Sequence, residues 1–263
     1  MSSDYIERLR AELLRAEPKP ARRALKPLAI AAAAAAAVVL ALVTIGDQAP
    51  DDAQTYQLSG GAQTARVLQE RFAAADVDAT VKVSGATVTV LADEDARPLL
   101  QPGRLAIYDW EASRIGTGPA TFEQATARAA RHGDAQVVRS DDGWYALAGP
   151  PALTNADLQR ARAAEDPLTT QPAVLLDFTQ QGQHKFIELT RTLAQRGADG
   201  VQHADPFETA QHFAIVVDDR IRALPFVNWR ASPDGLRAAH ISDDLTDHTA
   251  TELAALLDSG PLP

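Results

Sequence analysis

The sequence predicts an α+β fold: antiparallel sheets covered by helices, carried behind a single apolar span. Three observations predict it. Amphipathic stretches alternate irregularly with short valine-rich runs, which suits helices laid over sheets rather than a parallel doubly wound core. Turn residues split consecutive runs into hairpins at Ser84-Gly85-Ala86, at Ser140–Gly143 and at Asp218-Asp219. One uncharged stretch, Leu28–Gly46, separates a basic head from an acidic body.

Residues 1–27 carry a net charge of +3. Within them Tyr5, Ile6, Leu9, Leu13 and Leu14 recur at helical spacing. Asp4–Ala16 is therefore expected to be a short amphipathic helix, lying on the inner leaflet or docking a cytoplasmic partner. Leu28–Gly46 reads as a transmembrane helix: nineteen uncharged residues span about 28 Å against a hydrocarbon core of roughly 30 Å. Arg15, Lys19, Arg22, Arg23 and Lys26 precede it, and Asp47, Asp51 and Asp52 follow. That asymmetry predicts a cytoplasmic N-terminus and an extracytoplasmic body in the cell membrane. A cleaved signal peptide and a buried alanine-rich helix are the competing readings. The long basic head and the lack of an A-x-A site near Gly46 favour the uncleaved anchor.

Residues 47–61 are polar without a clear period and are expected to be a linker. Ala62–Ala75 places Ala65, Leu68, Phe72 and Ala75 on one helical face. Ala79–Val83 and Thr87–Leu91 form the first hairpin, Asp93–Leu100 a short helix, and Arg104–Trp110 a strand. After a turn at Gly116–Pro119, Thr121 caps a helix to Arg131. Ala135–Arg139 and Trp144–Leu147 form the second hairpin, and Gly149-Pro150-Pro151 breaks the chain. Asn155–Ala164 is expected to be a short helix, Glu165–Gln171 a loop, Pro172–Phe178 a strand and Gln180–Arg196 a helix closed by Gly197. Ala198–Gln211 is loop-rich. Strands follow at Phe213–Val217, Arg220–Leu224, Phe226–Arg230 and Arg237–Ile241, then a last helix at Thr246–Leu257.

Composition limits the chemistry. The chain has 263 residues, enough for one or two domains with a real core. It has no cysteine, which excludes disulfides, thiol catalysis and thiolate-bound metals. The net charge of −10 argues against general nucleic-acid binding. Its alanine- and arginine-rich composition suits a high-GC, actinobacteria-like bacterium.

No catalytic, cofactor-binding or metal site is predicted. His240, Asp243, Asp244, Asp247 and His248 gather potential ligands, but Ser242 and Thr246 explain that segment as a turn and a helix cap. His203, Asp205 and His212 lie in a polar loop. Asp218-Asp219 pairs two carboxylates between valine-rich strands and reads as a hairpin turn, not an acid–base pair. Gly116-Thr117-Gly118-Pro119 lacks the Gly-Lys-Ser/Thr of a phosphate loop, and there is no G-x-S-x-G. Trp110, Trp144 and Trp229 read as packing residues on or beside strands. Nothing assembles a nucleophile, base and oxyanion donor, so the chain is expected not to be an enzyme.

Five ordered stretches, Thr64–Val83, Pro102–Tyr108, Pro172–Arg191, His212–Val227 and Glu252–Pro263, together resemble SecD of the bacterial SecDF protein-export complex, in its first extracytoplasmic domain. Thr64–Val83 is similar to the SecD helix and hairpin, with Arg66, Leu68, Arg71 and Phe72 in place. Pro102–Tyr108 resembles the strand that closes that base region. In Pro172–Arg191, Gly182, Phe186, Leu189 and Thr190 match. In His212–Val227, Ala214, Ile215, Val216, Asp218, Ile221 and Pro225 match, with Asp219 where glycine is usual. Glu252–Pro263 resembles the tail that leads SecD into its second membrane helix. The usual glycine-rich loop before the last helix is replaced, by Ser232–Gly235 and His240–Asp243.

The resemblance implies a base-like region over 62–148 and a head-like region over 149–263. SecD continues with further membrane helices, pairs with SecF and couples proton flow to preprotein release. Here Leu28–Gly46 has no ionisable residue, and a proton path needs titratable groups at membrane depth. The expectation is thus a membrane-anchored, extracytoplasmic, non-catalytic binding module, not itself a proton-driven transporter. Its expected partners are secreted polypeptides or Sec translocon components. A modulator or scaffold on the translocon, or on a transmembrane signalling partner, is the alternative. Strand addition would bring an extended chain to a sheet edge, with Phe226–Arg230 and Thr87–Leu91 as candidate edges.

Overall fold

The described residues form three sheets around shared cores, antiparallel except for one parallel pairing of Arg139 with Arg220. The computed structural model describes residues 41–42, 54–166, 169–200, 208–242 and 244–263. The predicted helix Asp4–Ala16 lies outside them. So does Leu28–Gly46 apart from Ala41 and Leu42, which pair antiparallel with Gln57 and Tyr56. Among the described residues, no helix is long and apolar enough to cross a membrane.

The first array contains β1 (Ala41–Leu42), β2 (Gln54–Ser59), β3 (Ala79–Ser84) and β4 (Thr87–Ala92), in the order β1-β2-β4-β3. Helix α1 (Ala62–Ala75) covers it. Tyr56, Leu58, Val88 and Val90 on the strands meet Leu68 and Phe72 on the helix in one core. The expected linker over 47–61 therefore contains a strand. Its polar composition hides a period of two in which only Tyr56 and Leu58 need to be buried. Thr87–Leu91 lies inside the sheet, between β2 and β3, and offers no free edge. Asp93–Leu100 is a pair of turns, not a helix. Asp95 accepts a hydrogen bond from the Arg97 backbone N–H (3.1 Å), and Pro98 has no N–H to extend a helix.

The large sheet runs β7-β6-β12-β11-β5-β8. Its strands are β5 (Leu105–Asp109), β6 (Gln136–Ser140), β7 (Gly143–Leu147), β8 (Leu153–Thr154), β11 (Gln211–Val217) and β12 (Arg220–Ala223). The short β13 (Phe226–Val227) pairs with the start of β11. The expected strand Phe226–Arg230 stops there because Asn228 folds back, its side chain accepting from the Arg230 and Ala231 amides. Strand β5 hands over directly to α2 (Trp110–Ser113), whose first turn is capped by Asp109 accepting from the Ala112 N–H at 3.0 Å. Helix α3 (Phe122–Ala129) begins with a capping box between Thr121 and Gln124.

A third array, β14-β10-β9, consists of β9 (Leu158–Glu165), β10 (Pro172–Phe178) and β14 (Ala239–Ile241). The expected helix Asn155–Ala164 is a 3-10 turn, Asn155–Asp157, followed by β9. Alanine and arginine favour a helix locally, but pairing along the whole of β10 decides the matter.

Helix α4 (Gln180–Gly200) passes through Gly197 instead of stopping at it. A Cβ at Gly197 would lie 3.0 Å from the Trp229 ring and 3.1 Å from the Thr209 carbonyl oxygen, so this glycine serves close packing. The last helix, α5 (Asp247–Asp258), starts at its Thr246 cap. Phe186 and Leu193 of α4, Val174 and Leu176 of β10, and Leu253 and Leu257 of α5 enter one core with β11. Ala255, on another side of α5, enters the core under α1, so this helix joins the two cores.

Candidate functional site

Strand β11 alternates strictly. Phe213, Ile215 and Val217 face the main core, while Ala214 and Val216 face a smaller one with Tyr108, Trp110 and Tyr145. Its neighbour β12 cannot keep that alternation. The register pairs Val216 with Ile221 and Ile215 with Ala223, which leaves Arg222 as an extra residue in a β-bulge. The bulge turns the strand over: Ile221 packs with the smaller core and Ala223 with the main one.

On its outer side β12 meets β6 at one register pair, Arg220 with Arg139, and β6 then turns away at Ser140-Asp141. Beyond Arg220 the outer edge of β12 opens onto two adjacent cavities. One, of about 270 Å³, lies between that edge, Ser140-Asp141 and Ile241-Leu245-Thr249. The other, of about 350 Å³, lies between Arg222, Pro98-Gln101 and α5 at Glu252, Leu253 and Leu256. Arg222, Leu245 and Thr249 line both. The groove has an apolar contribution from Leu245, Leu253 and Leu256, and from Leu224, which is 38% exposed.

Its electrostatics are unusual for an acidic chain. Arg220 is paired with Asp141 at 2.7 Å. Arg222, two residues on, has no ion pair among the described residues, and its Nε is buried without a hydrogen-bond partner. Burial, and then the nearby Arg220 charge, hold its pKa below the ordinary arginine range. Glu252, almost fully buried in the wall of the second cavity, has its carboxyl pushed up chiefly by burial. His248, 3.7 Å from Glu252, offsets part of that effect.

The other sequence-singled residues fall elsewhere. His240 Nε2 lies 2.8 Å from Asp166, while His248 faces Glu252, so the two histidines do not converge. Among the described residues, no three His, Asp or Glu side chains are placed to hold a metal ion. His203 and Asp205 lie outside the described residues. His212 Nδ1 lies 2.8 Å from Glu111. Asp218 and Asp219 form the tight turn between β11 and β12, both with positive φ. The Asp218 carboxylate accepts from the Gly103 (3.0 Å) and Arg104 (2.9 Å) amides, so it braces a neighbouring loop. Trp110 and Trp144 make edge-on ring contacts, with Tyr145 and Phe122 respectively, and Trp229 donates to Thr209.

Residues 117–263 match the family model for the SecDF P1 head subdomain. The chain belongs to that family. Among curated relatives, the protein translocase subunit SecDF of Thermus thermophilus is 36% identical over 115 residues, covering 44% of this chain and 13% of that protein. The protein translocase subunit SecD of Synechocystis is 29% identical over 126 residues, covering 47% of this chain and 24% of that protein. The chain thus spans a quarter or less of the length of the curated relatives it matches. Two solved SecDF structures align with TM-scores of 0.49. One, SecDF in a super-membrane-facing form, is 27% identical over 76% of this chain and 26% of the other. The second, described as a membrane component SecDF that enhances protein export, is 26% identical over 80% of this chain and 94% of the other.

The SecDF-like motif residues prove to be fold determinants. A Cβ at Gly182 would lie 2.2 Å from the Asp157 carbonyl oxygen, so only glycine lets α4 start against the 3-10 turn. Phe186 is fully buried, and Thr190 Oγ1 accepts from the Leu236 amide at 2.8 Å. Arg71 is buried under the first array, where it donates to four carbonyls and a hydroxyl. Arg222, which opens the groove, carries no such motif and was not singled out by the sequence.

Proposed function

We propose that this SecDF P1 head family member is a non-catalytic module in protein export that receives an extended polypeptide along the outer edge of β12. The observation that carries the reading is the early departure of β6, which leaves that edge beside two cavities with apolar walls. Backbone groups of an arriving chain can continue the ladder, and its side chains can enter the cavities alternately. Leu28–Gly46 is taken as its membrane anchor on hydropathy, with the body extracytoplasmic. The short strand at Ala41–Leu42 competes with the last turn of such a helix. Alkaline extraction and protease accessibility in intact cells test that part. Release from membranes, or a body shielded on the cytoplasmic side, refutes it.

The binding reading is tested by placing a photoreactive amino acid at Leu224, or at the exposed Arg131 as control, in the full chain. Crosslinks from position 224 to a secretory protein caught during export are expected, well above those from position 131. Equal yields refute the groove. Crosslinks from 224 to translocon subunits, and not to the exported chain, support the modulator reading instead.

A further inference from the structure

We infer that Arg222 is an anchor for a carboxylate on the bound polypeptide, so that the groove prefers extended segments in which an acidic group is flanked by apolar residues. This rests on the polypeptide-binding reading and specifies the chemistry of its ligand.

The argument starts from satisfaction of buried donors. A guanidinium has five N–H groups, and a buried donor without a partner is costly. Two buried side-chain nitrogens lack a partner among the described residues, Arg128 Nη1 and Arg222 Nε. Arg128 lies on α3 against Gly116 and lines neither cavity. Arg222 lines both and sits at the bulge where the open edge begins.

Asp218 and Asp141 attract its charge from nearby and Asp244 also lines the first cavity, but among the described residues none of these acids forms an ion pair with it. Asp141 is taken by Arg220, and Asp218 is taken by the Gly103 and Arg104 amides. Glu252 shares the second cavity but makes no ion pair with Arg222. A partly buried, unpaired cation in an acidic chain selects for an incoming anion, and the planar fork suits a carboxylate. The first turn of α5 faces the same space through Thr249, the third residue of that helix, and its dipole favours negative charge. Leu245, Leu253 and Leu256 beside it accept apolar neighbours on the same segment. Small free anions would leave those apolar walls exposed.

The test measures fluorescence anisotropy of labelled, N-acetylated octapeptides of alternating apolar residues against the purified full chain in detergent. One peptide carries a central glutamate and an amidated C-terminus, the second has glutamine instead, and the third has glutamine and a free C-terminal carboxylate. We expect one of the carboxylate peptides to bind about tenfold or more tightly than the amidated glutamine peptide, and Arg222→Met to remove the preference, so that within the variant all three peptides bind alike. The better carboxylate peptide tells whether a side chain or a chain terminus is recognised. Equal affinities for all three peptides in the wild type overturn the carboxylate anchor but leave polypeptide binding standing. A preference that survives in Arg222→Met also overturns it. No binding of any peptide overturns both readings. Should the methionine variant not fold, Arg222→Lys is measured instead. A point charge without the fork is expected to keep only part of the preference, and an undiminished preference overturns the role of the fork.

Discussion

Replacing Arg71 with methionine is expected to destabilise the fold by about 3–5 kcal/mol. The side chain is fully buried. Its Nε donates to Ser259 Oγ (2.9 Å), Nη1 to the Leu99 (2.8 Å) and Gln101 (2.5 Å) carbonyls, and Nη2 to the Pro102 (3.1 Å) and Gly260 (2.7 Å) carbonyls. It therefore ties α1 to the 99–102 segment and to the end of α5. Burial pulls its pKa down to about 10, with Asp218 opposing, so it stays charged at neutral pH. Buried ions often gain little over an apolar substitute, because both partners can be replaced together. Here the partners are mainly backbone carbonyls, which no single substitution removes. Methionine preserves the stem but leaves up to five acceptors without their donor, at roughly 1–3 kcal/mol for each that water cannot reach. The 101–102 and 260 carbonyls are only partly buried, which keeps the total well below five full penalties.

The assay is equilibrium urea unfolding of the full chain, followed by tryptophan fluorescence, with amide hydrogen exchange at Ser259–Leu262 as a local readout. Exchange there should accelerate, because the Leu262 amide bonds the Pro102 carbonyl within the same clamp. Arg71→Lys should fall between the two, since one ammonium cannot span the same set of acceptors. A methionine variant within about 1 kcal/mol of wild type, a difference ordinary surface changes approach, with unchanged exchange at 259–262, would refute the reasoning.

Gly182→Ala should destabilise by about 1–3 kcal/mol or more, because the new Cβ meets the Asp157 carbonyl oxygen; thermal unfolding checks it, and an unchanged midpoint contradicts the close approach. For Glu252, burial raises the folded-state pKa above its unfolded value. The native state then holds its proton more tightly, a contribution present below the unfolded pKa and lost as pH rises through the folded one. Glu252→Gln should accordingly match wild type near pH 4 and exceed it in urea midpoint near pH 8. A difference independent of pH would show that the carboxyl is not perturbed.

How legible the fold was depended on whether local pattern and tertiary need agreed. At Ala62–Ala75 the apolar face matches the buried face, and the helix has the expected ends. The hairpins at Ser84–Ala86 and Asp218-Asp219 announce themselves by turn chemistry alone. In β2 the buried face needs only two residues, too few to stand out among glutamine, threonine and serine. In β9 alanine and arginine speak for a helix, and β10 outvotes them. The groove was less legible still, because neither residue type nor spacing marks Arg222 in Arg220-Ile221-Arg222-Ala223. The candidate edge at Thr87–Leu91 failed for a related reason: strand order is not written in any one strand.

By itself the sequence determined the α+β class, the helix caps at Thr121 and Thr246, the hairpin turns, and the SecDF family. These follow from local physics: hydrophobic period, cap and turn side chains, and motif residues such as Gly182 and Phe186 that hold elements together. The tertiary structure alone decided which edge stays open, that Arg222 stands in a bulge without an ion pair among the described residues, and that Arg71 clamps three distant segments. Those features depend on what lies opposite a residue, and the neighbour is supplied by strand order and register far away in the chain. A lone buried cation and a satisfied one look alike in sequence, and only the positions of acceptors tell them apart.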